Sequence, residues 1–294
     1  MTALTEHDRW HGYWQSDAPF HVEQRDGPSR PAQIIVVANQ KGGVGKTTTA
    51  ISVASALAQQ SIRVLLVDSD PQANCTSGVG MRLPEEHPSI YDVLNDGMDA
   101  MRVIEATNQK NLWLLPSSID LAGAEIELVS ALSREQQLRR ALEPTREHFD
   151  IVIIDCPPSL GLLTINALSA ADGVVVPIQC EYYALEGLGA LTRNAELVRQ
   201  NLNPGLKITG FALTMYDGRT KLSHEVANEV RRHFGDLVFQ TRIPRSVRLA
   251  EAPSYGQPIT IFDPSSRGAV AYHRLAGEIW ERVLFNEAVA RRSS

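Results

Sequence analysis

The amino-acid sequence predicts an α/β fold, a doubly wound and mostly parallel sheet with helices on both faces. Three observations point there. From Gln33 onward, short β-branched runs alternate with helix-length amphipathic stretches, the order that gives parallel strands joined by right-handed crossovers. The runs are apolar throughout rather than alternating, as strands are when both faces of a sheet are covered. The 294 residues are 43% hydrophobic and 21% charged, which supplies a large core and excludes disorder throughout.

Residues 1–32 precede this pattern. They carry Asp8, Arg9, Glu23, Arg25, Asp26, Gly27, Pro28 and Pro31, show neither helical nor strand periodicity, and read as an extended or disordered leader. One folded domain is expected over 33–287, with a flexible tail at 288–294. Strands are expected at Ile34–Ala38, Val64–Val67, Leu112–Leu115, Ile151–Ile154, Val174–Pro177 and Lys207–Thr214. Apolar periodicity places helices at Thr47–Gln59, Ile119–Leu132, Ser133–Leu142, Leu162–Ala170 and Leu185–Asn201. Sheets of this class bind ligands beyond the carboxyl ends of their strands, so the residues that follow each strand are where chemistry is sought.

Three cysteines, Cys75, Cys156 and Cys180, are too few and too scattered for a disulfide framework or a paired metal site, and suit a reducing compartment. No run approaches the roughly 18 apolar residues of a membrane span, and the N-terminus lacks the apolar centre of a signal peptide. A cytoplasmic location is expected.

The first strand leads into Asn39-Gln40-Lys41-Gly42-Gly43-Val44-Gly45-Lys46-Thr47-Thr48-Thr49 and then a helix. Glycines let a backbone wrap an anion with its N–H groups inward, and the helix N-terminus adds partial positive charge. Lys46 would reach the β- and γ-phosphates and the Thr47 hydroxyl would ligate Mg²⁺, so ATP and Mg²⁺ are the expected ligands of a P-loop NTPase. Lys41, Gly42, Gly43, Val44, Gly45, Lys46, Thr47 and Thr48 form the expected cradle.

The second strand ends in Asp68-Ser69-Asp70-Pro71-Gln72, two carboxylates that point the same way if extended. One can hold a Mg²⁺-bound water and the other can orient an attacking water. Another apolar strand ends in Asp155-Cys156-Pro157-Pro158, the Walker B arrangement, with Asp155 near Mg²⁺ through a water. An Asp-Pro turn at Asp70 and a helix cap at Asp155 are the plainer alternatives.

A formal net charge of −6 argues against a constitutive coat on nucleic acid, but the charge is uneven. Between Arg219 and Arg248, seven basic residues (Arg219, Lys221, Arg231, Arg232, Arg242, Arg245, Arg248) stand against three acidic ones (Glu225, Glu229, Asp236). That is a local excess of +4, leaving −10 elsewhere. Such a face can bind phosphate backbones without base readout, or be only a solvated surface.

Several of these segments resemble one family. Two lysines bracketing Gly42-Gly43-Val44-Gly45, with Gln40 where the general motif has glycine, resemble the deviant Walker A motif of ParA/MinD-class ATPases. Ile243–Ser254, Thr214–Thr220 and Tyr255–Gly268 resemble the chromosomal ParA/Soj subfamily, and the likeness covers roughly 33–285. The resemblance implies an ATP-dependent homodimer in which Lys41 acts on the partner's phosphates and Lys46 on its own. It implies that Asp70 positions the hydrolytic water while Asp68 supports the metal shell. It further implies that Arg219 and Arg248, with Arg245 beside them, bind nucleoid DNA non-specifically, and that Pro244 and Ser246 line the adenine side. Relatives usually carry Asn where this chain has Ser246. A ParB-type centromere-binding partner would stimulate hydrolysis, and chromosome or plasmid origins would be the cargo.

A MinD-like ATPase at a membrane or on another cargo is the alternative. It needs a basic amphipathic C-terminal helix. Here Ile279, Trp280, Val283 and Leu284 lie beside Glu278, Glu281 and Glu287, ahead of Arg291 and Arg292, and the helix is expected to dock on the body. In the leader, Trp10, Tyr13 and Trp14 could form a docking patch. The codons of Phe20-His21-Val22-Glu23-Gln24 could spell an inverted repeat like a centromere site, a coincidence unless the gene shows it.

Overall fold

The computed structural model describes residues 31–181 and 186–292, so the leader expectations, including Trp10, Tyr13, Trp14 and Phe20–Gln24, lie outside the described residues. Eight strands form one sheet in the order β3-β4-β2-β5-β1-β6-β7-β8. They are β1 (Gln33–Val37), β2 (Val64–Asp68), β3 (Glu105–Ala106), β4 (Leu112–Leu115), β5 (Ile151–Asp155), β6 (Gly173–Gln179), β7 (Lys207–Tyr216) and β8 (Val238–Pro244). All neighbours pair in parallel except β3, which runs antiparallel to β4 at one edge.

The helices that shape the site are α1 (Lys46–Gln59), α2 (Asn74–Gly78), α3 (Leu162–Ala170), α4 (Glu186–Asn201), α5 (Lys221–Phe234), α6 (Val247–Glu251) and α7 (Arg267–Arg292). Strand geometry explains the apolar runs. Successive residues face opposite ways, so Ile34 and Val36 enter one core with Val152 and Ile154, while Ile35 and Val37 enter the other with Ile151 and Ile153. Polar residues at either parity would meet a core.

All six expected strands form, with ends shifted by at most two residues. The sequence pattern missed β8. Its polar Gln240, Thr241 and Arg242 break the apolar run, which an edge strand tolerates because one side is less covered. The expected helices over 119–142 are shorter and broken, into Leu121–Glu127, a 3₁₀ turn at Leu128–Ser130, a second at Arg134–Gln136, and Gln137–Leu142. Extended Ala131 and left-handed Ser133 (φ 50°) interrupt what apolar spacing alone would continue.

The last helix, α7, docks on the body and continues to Arg292, beyond the residue 287 at which the folded part was expected to end. Tyr272, Leu275, Ile279 and Val283 are buried with the α1 side of the core. The helix also closes the sheet edge. Glu278 accepts hydrogen bonds from Gln240 N (2.6 Å) and Thr241 N (2.8 Å) of β8. One turn on, Arg282 stacks over Phe239 (4.2 Å to the centroid) and donates to the carbonyls of Thr209, Leu237 and Asp236. These contacts occupy backbone groups that an edge strand otherwise offers to another chain. Among the described residues, no helix is long and apolar enough to cross a membrane.

Glu278→Ala leaves two edge amides without their carboxylate and should cost about 1–2 kcal/mol, a fall of several degrees in the thermal midpoint for a chain of this size. Faster hydrogen exchange at Gln240 and Thr241 should accompany the loss; unchanged exchange there would assign the clamp to Arg282 alone.

Candidate functional site

The turn between β1 and α1 has the geometry that its glycines permit. Gly43 (φ 72°) and Gly45 (φ 86°) are left-handed, and an added Cβ at either meets nothing within 4 Å, so backbone conformation alone demands glycine. Lys46 opens α1. It is only 7% exposed, with Nζ donating to Lys41 O at 3.3 Å, and burial lowers its pKa against the opposing charge of Asp155. Lys41 lies half-buried at the rim, and no described residue forms an ion pair with its ammonium.

Two residues that sequence reasoning missed suspend the loop. Asn39 donates from Nδ2 to Pro177 O of β6 (2.7 Å) while its Oδ1 accepts from Lys41 N (3.0 Å). Thr214 of β7 donates from Oγ1 to Val44 O (2.9 Å). Each is the polar residue that ends an apolar run, and that position was the available signal.

Asp68 and Asp155 are the last residues of β2 and β5 and stand in register on adjacent strands. Both are fully buried. Asp68 accepts from Thr76 N and Thr76 Oγ1, each at 2.8 Å, and from Asp70 N at 3.2 Å. Burial pushes it up to about 6 even so, because those hydrogen bonds only partly offset desolvation. It therefore anchors α2 and the turn that carries Asp70. Asp70 is 7% exposed, with Oδ1 accepting from Gln72 N (3.0 Å).

Asp155 differs. Neither of its buried oxygens has a hydrogen-bond partner of good geometry, and desolvation, then the charge of Asp68, raise its pKa well above the carboxylate range, with the Thr47 hydroxyl acting in the opposite sense. A buried carboxylate with open oxygens beside a threonine hydroxyl is a donor set that a hard divalent cation takes. The residues present fit magnesium. The three cysteines are buried free thiols; burial raises Cys156 further and pushes Cys180 up to about 11, so they pack rather than react.

Beside the loop, Pro244 closes β8 opposite Tyr216 of β7, and Arg245 N donates to Tyr216 O (3.1 Å). Ser246 then precedes α6 with no side-chain capping bond. The strand pair thus brings Pro244 and Ser246 to the side of the loop that Thr214 supports.

The basic segment is less positive in space than in sequence. Arg219, 90% exposed, is paired with Asp217 (2.8 Å), and Arg245 with Glu181 (2.8 Å). Arg248 is paired with Asp263 (2.9 Å) and Glu251 (3.0 Å) and lies over Phe262. These four carboxylates all fall outside 219–248, and they match the excess of four that the window suggests. At these three arginines the face presents exposed ion pairs rather than bare cations.

A family model described as an AAA domain matches residues 32–208. The Bacillus subtilis protein named sporulation initiation inhibitor protein Soj is 55% identical over 247 residues, spanning 84% of this chain and 98% of its own. The Caulobacter vibrioides chromosome partitioning protein ParA is 48% identical over 264 residues, 89% of this chain and 99% of that protein. A solved structure described as cobyrinic acid a,c-diamide synthase from Mycobacterium smegmatis with bound ATP analog and magnesium has a TM-score of 0.73 at 42% identity, covering 84% of this chain and 93% of that one.

The buried carboxylates have a pH signature. Burial pushes Asp68 up to about 6 in the folded chain against 3.8 as its ordinary value, and raises Asp155 well above that ordinary value too. The folded state thus binds more protons than the unfolded one above pH 4, and metal-free stability should fall as pH rises through 6. Asp155→Asn should raise the thermal midpoint in EDTA at pH 7.5, by the equivalent of about 1–3 kcal/mol, and flatten the decline between pH 5 and 7.5. It should also remove the extra stabilisation that Mg²⁺ adds to ADP. A variant that keeps that Mg²⁺ increment would exclude Asp155 from the metal site.

Proposed function

The chain belongs to the ParA/Soj family of chromosome-partitioning ATPases, and from that membership we propose that it is an ATP-dependent dimer switch that binds DNA non-specifically and is reset by hydrolysis. One observation carries the proposal. Of the two lysines that flank the loop glycines, Lys46 is buried inside it and Lys41 lies on its rim, so one serves the bound nucleotide and the other can reach outward to a second subunit's.

ATP with Mg²⁺ is the ligand of the loop. Backbone amides from Gly42 to Thr48 face the phosphates and Lys46 neutralises their charge. Thr47 and Asp155 would hold the magnesium, whose charge would offset the charge that develops on the phosphates. Asp70 orients the attacking water and takes up its proton. Asp68 holds Asp70 in place through Thr76 and the Asp70 amide. Pro244 and Ser246 border the adenine.

Closure of two subunits over two nucleotides sets their arginine faces side by side. Exposed ion pairs contribute at most about 1 kcal/mol each, so DNA phosphates can displace Asp217, Glu181, Glu251 and Asp263 from Arg219, Arg245 and Arg248. Doubling the face raises affinity without new contacts per subunit, which ties DNA binding to ATP. A ParB-type partner at centromere-like sites accelerates hydrolysis, product release opens the dimer, and the cycle moves chromosome or plasmid origins over the nucleoid.

Asp70→Ala should lower ATP hydrolysis by at least tenfold and leave an ATP-bound dimer that persists on DNA in gel-retardation and sizing assays; normal turnover would remove Asp70 from the reaction. Replacing Arg219 and Arg248 together by Glu should abolish DNA retardation while ATP-dependent dimerisation survives. Asp217→Asn, which frees Arg219 from its carboxylate, should bind DNA several-fold more tightly at low salt. Retention by the double variant would place the DNA surface elsewhere.

A further inference from the structure

We propose that Thr214, far from the phosphate loop in sequence, is a positioning residue for nucleotide binding: its hydroxyl sets which way the Val44–Gly45 peptide faces. The inference rests on the loop binding ATP and goes beyond it in naming what orients one of the loop's anion-binding amides.

A trans peptide is planar, with its C=O and N–H on opposite sides. Val44 O is held at 2.9 Å by Thr214 Oγ1 from the β7 side. The N–H of the same peptide belongs to Gly45 and is therefore turned away from β7. The peptide joins Val44 to left-handed Gly45 (φ 86°), so one of the two bonds about which it turns belongs to a glycine. Glycine allows the required conformation but does not select it. Rotation of this one peptide by half a turn would exchange an N–H donor for a carbonyl oxygen, which repels phosphate. The bond is out of water, since Val44 is 1% and Thr214 2% exposed. A Val44 carbonyl without its donor would be a buried, unsatisfied acceptor, with reason to turn.

Thr214 is itself held firmly. Its carbonyl accepts from Cys180 N (3.1 Å), the residue after β6, and β7 pairs with β6 from Gly173↔Lys207 to Gln179↔Thr214. Directly after it, Met215 is left-handed (φ 51°), and Tyr216 pairs with Pro244. One strand end thus bears both the loop's support and the turn that leads to the adenine side.

Two substitutions isolate the hydroxyl. Thr214→Val keeps the shape and removes the donor; Thr214→Ser keeps the donor and removes a methyl group. ADP and ATP affinities should be measured with Mg²⁺ by calorimetry. The Gly45 amide should be followed by ¹⁵N-labelled NMR, and the thermal midpoint of the nucleotide-free protein determined. Thr214→Val should weaken both nucleotides tenfold or more, with the Gly45 amide no longer moving to its nucleotide-bound position. Thr214→Ser should stay within about threefold of wild type. A Val variant that binds within twofold, or a Ser variant as weak as the Val variant, overturns the proposal. So does a Val variant that lowers the nucleotide-free midpoint but retains the Gly45 shift, because the hydroxyl then serves stability alone. Failure of the wild-type chain to bind nucleotide would instead refute the loop's function.

Discussion

Burial of charge at the carboxyl ends of the central strands is the constraint on which the site depends. Lys46, Asp68 and Asp155 all lie almost out of water there, where each would be costly alone. The structure answers each cost differently. Lys46 donates to the loop's own carbonyl at Lys41, Asp68 receives three hydrogen bonds from the segment that follows it, and Asp155 keeps its oxygens open. That difference separates a carboxylate held by hydrogen bonds from an open one, although both end adjacent strands with the same residue type.

The loop illustrates a complementary requirement. Amides can face an anion only if the carbonyls of the same peptides are satisfied elsewhere: the Val44 carbonyl finds its donor on β7, and Asn39 ties the start of the loop to β6. A Gly-rich turn is therefore as much a property of its neighbours as of its glycines. The surface shows the same dependence at lower cost. Arg219, Arg245 and Arg248 each meet a carboxylate from outside the basic segment, so these three cations are held in exchangeable pairs.

Much of this was legible in the residues. Uniformly apolar runs at Ile34–Ala38 and Ile151–Ile154 announce strands with two covered faces, and the aspartates that end such runs mark the ligand side of the sheet. The strand β8 was not legible, since Gln240 and Arg242 lack the apolar signature and their place is secured by Glu278 from a helix 38 residues on. The breaks at Ala131 and Ser133 were hidden for the opposite reason. Apolar spacing there continues through a backbone that the surrounding packing turns aside.

What the sequence by itself determined is whatever depends on neighbours along the chain: the strand–loop–helix order, the glycines, the two lysines and the aspartates at strand ends. Those are local, because backbone conformation and side-chain alternation act over a few residues. Tertiary structure alone decided which aspartate is hydrogen-bonded and which is open, which carboxylates neutralise the arginines, and that Thr214 and Asn39 hold the loop. Each of these is a contact between strands or turns distant in sequence, where desolvation and geometry in three dimensions set the energy and no residue pattern records the partner.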